Sequence, residues 1–215
     1  MVGGERRPAL SRDTIVEAAV RLADAEGIER LSMRRLGREL GVEAMSLYHH
    51  LHDKAVLLDA MVDCLFAQIE VPQAPGWRDG LHRRAVCQRQ LLQRHPWALG
   101  VIESRTSPGI TTVVHHDAVL GYLRTAGFSV RAAGHVFSLV DAYVYGFCLQ
   151  EHQLPLDEAT APTVAHSLLE QHTEANLPHL QEYIREVVLV GGYDYAHEFE
   201  VGLGVVLDAA TSLLD

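Results

Sequence analysis

The chain has 215 residues, of which 48% are hydrophobic and only 7% aromatic, with a formal net charge of −10. That suits one large domain, or a small one joined to a medium one, and it excludes a protein that coats nucleic acid with its whole surface. Its three cysteines, Cys64, Cys87 and Cys148, are far apart and form no CxxC, which argues against a disulfide framework or zinc module and for a reducing, cytoplasmic compartment.

The charge is unevenly spread. Residues 1–57 hold nine Arg or Lys against nine Asp or Glu, so the whole excess of negative charge falls in 58–215. A neutral, arginine-rich first quarter can approach phosphates while the rest stays away. Lys54 is the one lysine. MVGGERRPALSRD at the start lacks an apolar h-region, so no secretory signal is expected. The most apolar stretch, 55–69, contains Asp59 and Asp63, and no membrane span is expected.

In chain order, residues 12–26 place Ile15, Ala19, Leu22 and Ala23 on one helical stripe, between a capping Ser11 and a stop at Gly27. Ser32 caps a short helix at 33–40 that ends at Gly41. A second short helix follows at about 44–50, and Asp53 caps a longer one at 54–69. VPQAPG, 71–76, reads as a hinge. It divides an expected domain 1–57, with connecting helix 54–70, from a larger domain 71–215. Helical patterns continue at about 77–94, 96–103, 110–126, 130–152, 160–176, 178–189 and 195–214. Pro96, Pro108–Gly109, Gly127, Pro155, Pro162, Pro178 and Gly191–Gly192 separate most of them. VVLV, 187–190, is the only β-like run and reads equally as a buried helix end. The expected fold class is all-α.

GVEAMSLYHHLHDK, 41–54, gathers His49, His50, His52 and Asp53, a composition that can mark a metal site. Its setting favours another reading. Two short helices joined at Gly41 behind a longer one make a helix-turn-helix, with Leu36, Leu40, Val42 and Leu47 as its small core. The opposite face of 44–50 carries Ala44, Met45, Ser46, Tyr48 and His49, which suits base edges and phosphates in a major groove.

GVEAMSLYHHLHDKAVLLDAM resembles the signature of the tetracycline-repressor (TetR) family of transcriptional regulators. It is carried by Gly41, Val42, Leu47, Tyr48, His50, Lys54 and Leu58. IVEAAVRLADAEGIERLSMRRLGREL resembles the family's first two helices. The resemblance implies that Ser32, Tyr48 and Lys54 hold phosphates and that Arg34, Ala44, Met45 and Ser46 face bases, with His49 on backbone or base. Arg6, Arg7 and Arg12 are candidate arm contacts. It also implies a homodimer on a palindromic double-stranded operator, because one module makes few contacts.

Residues 77–215 contain no GxSxG, HExxH, GxGxxG or P-loop, and no catalytic residue, cofactor or metal ligand is expected. WRDGLHRRAVCQRQLLQRHPW, LRTAGFSVRAAGHVFSLVDAYVYGFCLQE and FEVGLGVVLDA resemble the ligand-binding domain of the tetracycline-repressor branch. That likeness implies a four-helix dimer bundle from helices 130–149 and 195–214. Gly134, Gly146, Gly202 and Gly204 would allow close approach, and Val136, Leu139, Val140, Tyr143, Leu203, Val206, Leu207 and Ala210 would supply contact. The branch's magnesium–tetracycline ligands are replaced by Ile102, Arg105, Gln150 and Arg84, so a different small-molecule inducer is expected. Candidate pocket residues are Arg84, Gln88, Trp97, His115, His116, Phe137, Asp141 and Tyr145, polar or aromatic groups in a largely apolar setting. Adjacent His115 and His116 point about 100° apart on a helix and do not readily share a metal. A metal-sensing repressor, an activator of the same fold and, remotely, an all-α enzyme are the competing readings.

Overall fold

A computed structural model of the chain describes residues 10–214 except 74, 106–107, 155–158, 173–175 and 191–192. The arm residues Arg6 and Arg7 and the breakers Pro155, Gly191 and Gly192 lie outside the described residues. The described residues form eleven α-helices and no strand; the only extended pairing among them is an isolated bridge between Phe128 and Leu214. Two compact units are formed, residues 1–127 and 128–215.

The first unit comprises α1 (Arg12–Glu26), α2 (Met33–Leu40), α3 (Ala44–Tyr48), α4 (Lys54–Phe66), α5 (Trp77–Arg94), α6 (Trp97–Glu103) and α7 (Ile110–Thr125). Punctuation fixes its first helices. Ser11 and Thr14 make a reciprocal capping box at the start of α1. Ser32 accepts from Arg35 N–H, and Asp53 accepts from Val56 N–H at 2.8 Å. Gly27 and Gly41 close α1 and α2 with positive φ, but only Gly41, at φ 69° and ψ 34°, is a left-handed stop. Gly27 instead turns the chain out at ψ 154° into a short 3-10 turn, Ile28–Arg30, which the sequence pattern did not reveal.

Ile15, Ala19, Leu31, Leu36, Leu47, Leu51, Leu57 and Met61 are essentially fully buried and form one core across α1 to α4. α4 packs against α1, α6 and α7, so this core runs on beyond the three short helices. The irregular stretch after Phe66, with the 71–76 breakers, joins α4 to α5 inside the first unit.

The second unit comprises α8 (Val130–Gln153), α9 (Ala161–Gln171), α10 (Pro178–Tyr183) and α11 (Tyr195–Thr211). α10 runs directly into a π-helical turn, Ile184–Val188, which takes in Val187 and Val188 of the β-like VVLV run; Leu189 and Val190 follow in a bend. α8 packs on α11, and Tyr143 donates its hydroxyl to Phe199 O at 2.9 Å. A Cβ on Gly202 would lie 2.3 Å from that hydroxyl, so glycine lets the two helices close. The stretch 55–69 is not the best membrane-span candidate: α8 alone among the described helices has the length and apolarity. Its Val136, Val140 and Val144 are nonetheless buried in the protein.

Candidate DNA-reading surface and ligand site

The reading surface is built on close backbone approach. Gly37, inside α2, lies so near the following turn that a Cβ there would be 2.9 Å from Val42 O and 3.2 Å from Ala44 N. Leu36 and Leu47 then lock α2 to α3 from inside, with Leu40 and Val42 packed alongside. Outside, Met45 is 69% exposed and Tyr48 39%. Arg34, His49 and Lys54 are exposed, while Ala44 and Ser46 are half-buried. All eight residues expected at DNA therefore sit on or beside the same two-helix element. Ser32 uses a lone pair to cap α2, which leaves its hydroxyl hydrogen available to a phosphate. Lys54 opens α4, where a cationic side chain joins the exposed N–H groups of a helix start.

The neighbouring arginines divide their work. Arg35 forms ion pairs with Glu26 of α1 and Glu39 of α2, whereas Arg34 has no ion pair among the described residues. The Arg35 guanidinium, through its hydrogen bond to Glu26, holds that carboxyl below the usual carboxylate range. Sequence reading missed this brace, and Gly37 with it. A glycine inside a helix costs about 1 kcal/mol relative to alanine, and that cost is the signal that a backbone approaches there.

Deeper in the first unit, polar groups are buried. Arg84 and Gln88, one turn apart on α5, are each 1% exposed. Arg84 Nε donates to His115 Nε2 of α7 at 3.1 Å. An arginine only donates, so His115 accepts and carries its proton on Nδ1 as a neutral ring. Phe66 at the end of α4 meets His115 and His116 edge-on, at 5.8 and 5.7 Å between centroids. The Gln88 amide is buried with neither oxygen nor nitrogen hydrogen-bonded, a costly state unless a partner arrives.

Trp97 does not belong with this group. Its indole N–H is donated to Asp24 of α1 at 2.7 Å and its ring packs on the core of α1 to α4. The partner is 73 residues away in sequence, which is why the aromatic alone suggested a pocket. In the second unit, Phe137, Asp141 and Tyr145 recur every fourth residue along one side of α8, with Asp141 buried. Of the positions that replace the tetracycline ligands, Arg105 pairs with Asp59 of α4, Ile102 is half-buried and Gln150 exposed. No group of three or more His, Cys, Asp or Glu among the described residues is placed to hold a metal.

A cleft of about 360 Å³ lies elsewhere, between α1, α4 and the start of α7, lined by Asp13, Glu17, Cys64 and Ile110 among others. Burial, and then the charges of Glu17 and Asp13, push the Cys64 thiol up. Asp63, on the same wall, accepts from Thr111 N, Thr112 N and the Thr112 hydroxyl and so caps α7. Its carboxylate fills the space a Cβ on Gly109 would need.

The apolar stripe expected at a dimer contact is split. Val136, Val140, Leu203, Leu207 and Ala210 are consumed within the chain, at 0–1% exposure. Leu139 of that stripe remains outside, at 44%, and Val201 and Val205, which lay outside the expectation, are also exposed, at 51% and 65%. At Gly134, Gly146 and Gly204 a Cβ would meet no atom of the described residues within 4 Å beyond its chain neighbours and its own helix backbone.

A helix-turn-helix with an exposed polar face, on an otherwise helical scaffold, defines a DNA-binding regulator. Residues 15–61 match the family described as bacterial regulatory proteins, tetR family, and residues 71–211 match the tetracyclin repressor-like C-terminal domain. The chain belongs to the TetR family of transcriptional regulators. It is 34% identical to the HTH-type transcriptional repressor DrrR1 of Streptomyces coeruleorubidus, over 97% of this chain and 80% of that protein. It is 29% identical to the Escherichia coli tetracycline repressor protein class A from transposon 1721, over 93% and 89%. The TetR family protein ActR of Streptomyces coelicolor, solved in complex with actinorhodin, superposes with a TM-score of 0.80 at 26% identity, covering 95% of this chain and 98% of that one.

Proposed function

We propose that the protein is a cytoplasmic repressor that binds a palindromic operator as a homodimer and is released by a small, largely apolar molecule. Ser32, Tyr48 and Lys54 grip phosphates; Arg34, Ala44, Met45 and Ser46 read bases, with His49 beside them. The functional division is a DNA-binding domain 1–57, the connecting helix 54–70 and a ligand-binding and dimerisation domain 71–215. The reading of the C-terminal domain as a sensor, without catalytic chemistry, agrees with relatives that are repressors.

Dimerisation through α8 and α11 is supported by the exposed Leu139, Val201 and Val205 beside open glycines. Self-complementary apolar surface of this kind is the basis of a two-fold interface.

The observation that carries the ligand reading is the buried, unpartnered amide of Gln88, one turn from Arg84. An amide both donates and accepts, so it selects a molecule with a carbonyl or hydroxyl on an apolar frame. That ActR was solved with actinorhodin and with (S)-DNPA supports a small-molecule ligand. Through Phe66, the His115 side of this group touches α4, whose first residue is Lys54. A ligand that displaces this contact favours one setting of α4 over another. To move a population from 1:99 to 99:1 it must bind the released state more tightly by about 5.5 kcal/mol.

The test is a thermal-shift screen of apolar compounds bearing carbonyl or hydroxyl groups, followed by release of a fluorescent operator duplex. The expected outcome is a compound that raises Tm and releases operator, and that fails on both counts with Gln88→Leu. Because leucine removes a buried unmet amide, that variant should fold with stability equal to the parent's or up to about 1 kcal/mol higher. Saturating compound that leaves operator affinity unchanged would overturn the inducer reading.

A further inference from the structure

Asp24 ties α1 to the corner between α5 and α6. It lies near the end of α1, on the helix that supports the helix-turn-helix. One oxygen, Oδ1, accepts twice: from Trp97 Nε1 at 2.7 Å and from His95 Nδ1 at 2.7 Å. A carboxylate oxygen only accepts, so Nδ1 is the protonated nitrogen of His95. The two rings flank Pro96 at the corner between α5 and α6 and sit edge to face, 6.1 Å between centroids. His95 is 13% exposed and Asp24 30%, so the His95 ring is mostly covered while the carboxylate stays partly wetted, and the bonds act by fixing geometry more than by their strength.

The position of this contact matters more than its strength. Gln88 stands seven residues before His95 on the same rigid helix, two turns away. Ile15, Ala19 and Leu22 of α1 are buried in the core that carries α2 and α3. The Asp24 fork therefore ties the far end of the ligand-lining helix to the base of the reading head. Both His95 and Trp97 bond to Asp24, and Trp97 packs on the core of α1 to α4.

We infer that Asp24 is a positioning residue for operator binding: it holds α1, and through it the reading helix, in a fixed setting against the α5–α6 corner. A homodimer must present two reading helices at one spacing to both half-sites. A head freed from the corner samples other settings, and the fraction with the right spacing falls, which lowers affinity in proportion. The inference rests on operator binding by the dimer and does not depend on which ligand releases it.

The experiment uses the full-length protein and a duplex that the parent selects from a randomised pool. Asp24→Ala, Asp24→Asn and Trp97→Phe are compared by fluorescence anisotropy. In a Trp77→Phe background Trp97 is the one tryptophan, and its emission reports the indole hydrogen bond directly. Asp24→Ala is expected to shift Trp97 emission and to weaken operator binding about fivefold or more, the scale of a coupling between sites. Asp24→Asn keeps an acceptor oxygen and should recover part of both signals. Should Asp24→Ala fold poorly, Trp97→Phe keeps an aromatic ring at the site while removing its donor, and should weaken binding in the same direction. Shifted emission with operator affinity within twofold of the parent, or tighter, overturns the inference alone. A parent that selects no duplex overturns the operator reading and this inference with it.

Discussion

The reading head and the buried site of α5 and α7 use polar side chains in opposite ways. On α2 and α3 the polar groups stand outside a small, complete apolar core, exposed and few of them paired. On α5 and α7 they lie within the core, with Arg84 and Gln88 each 1% exposed and His115 4%. A group that waits for DNA stays solvated and costs the fold nothing. A group that waits for a small molecule has already lost its water, so it must be satisfied internally or tolerated unsatisfied. The bond from Arg84 Nε to His115 Nε2 shows the first solution and the Gln88 amide the second. Binding at the head should therefore be separable from stability, while binding at the buried site should not.

The largest effect that tests this contrast is expected from Arg84→Ala. It removes a fully buried side chain, leaves His115 Nε2 without its donor and opens a cavity. A loss of about 3 kcal/mol or more in urea unfolding is expected from the cavity and the stranded acceptor together. Arg84→Met, which keeps most of the volume, should lose less. An Arg84→Ala protein as stable as the parent would show that this polar group is not part of the folded core's energetics, and the contrast between the two regions would collapse.

Gly37→Ala is the exception on the head's side, because there the site and the fold share an atom. The new methyl would stand 2.9 Å from Val42 O, a backbone atom with little room to give. Overpacking of this kind costs about 1–3 kcal/mol, against about 1 kcal/mol regained from helix propensity. The expected outcome is a modest fall in Tm with a much larger fall in operator affinity, since relief comes from moving Ala44 and the reading helix behind it. Equal proportional losses would mean that the whole head had loosened rather than α3 alone.

What was legible beforehand follows from how locally each feature is encoded. α1 was expected at 12–26 and is found at Arg12–Glu26, because Ser11 and Gly27 mark both ends within one turn. The expected helix 54–69 stops at Phe66, where Ala67 and Gln68 form a turn with no glycine or proline to announce it. The helix-turn-helix core of Leu36, Leu40, Val42 and Leu47 was readable from spacing. Trp97 was not, because its partner Asp24 is on another helix altogether. The α8 and α11 stripes were seen but not their division. Periodicity reports that Val136, Leu139 and Val140 share a side, yet not that Val136 and Val140 turn inward while Leu139 stays out. An apolar stripe wider than one partner needs is read the same whether the second partner is the same chain or another.

The smallest expected effect concerns the brace between α1 and α2. Arg35 holds the Glu26 carboxyl below its usual 4.5, chiefly through the side-chain hydrogen bond, while partial desolvation opposes it. A carboxyl depressed on folding contributes stability that is present above the ordinary value and is lost as pH falls through the lowered one. Tm measured from pH 7 downward should therefore favour the parent over Glu26→Gln only above that range, and the two curves should converge in acid. The gap should be small and shrink in high salt, because the pair is partly exposed and screened. Curves that coincide throughout would assign the α1–α2 angle to Leu31, Met33 and Leu36 alone, all buried at 6% exposure or less. A gap that persists in acid would instead mean that glutamine strains the packing, since the ion pair's contribution is gone once Glu26 is protonated.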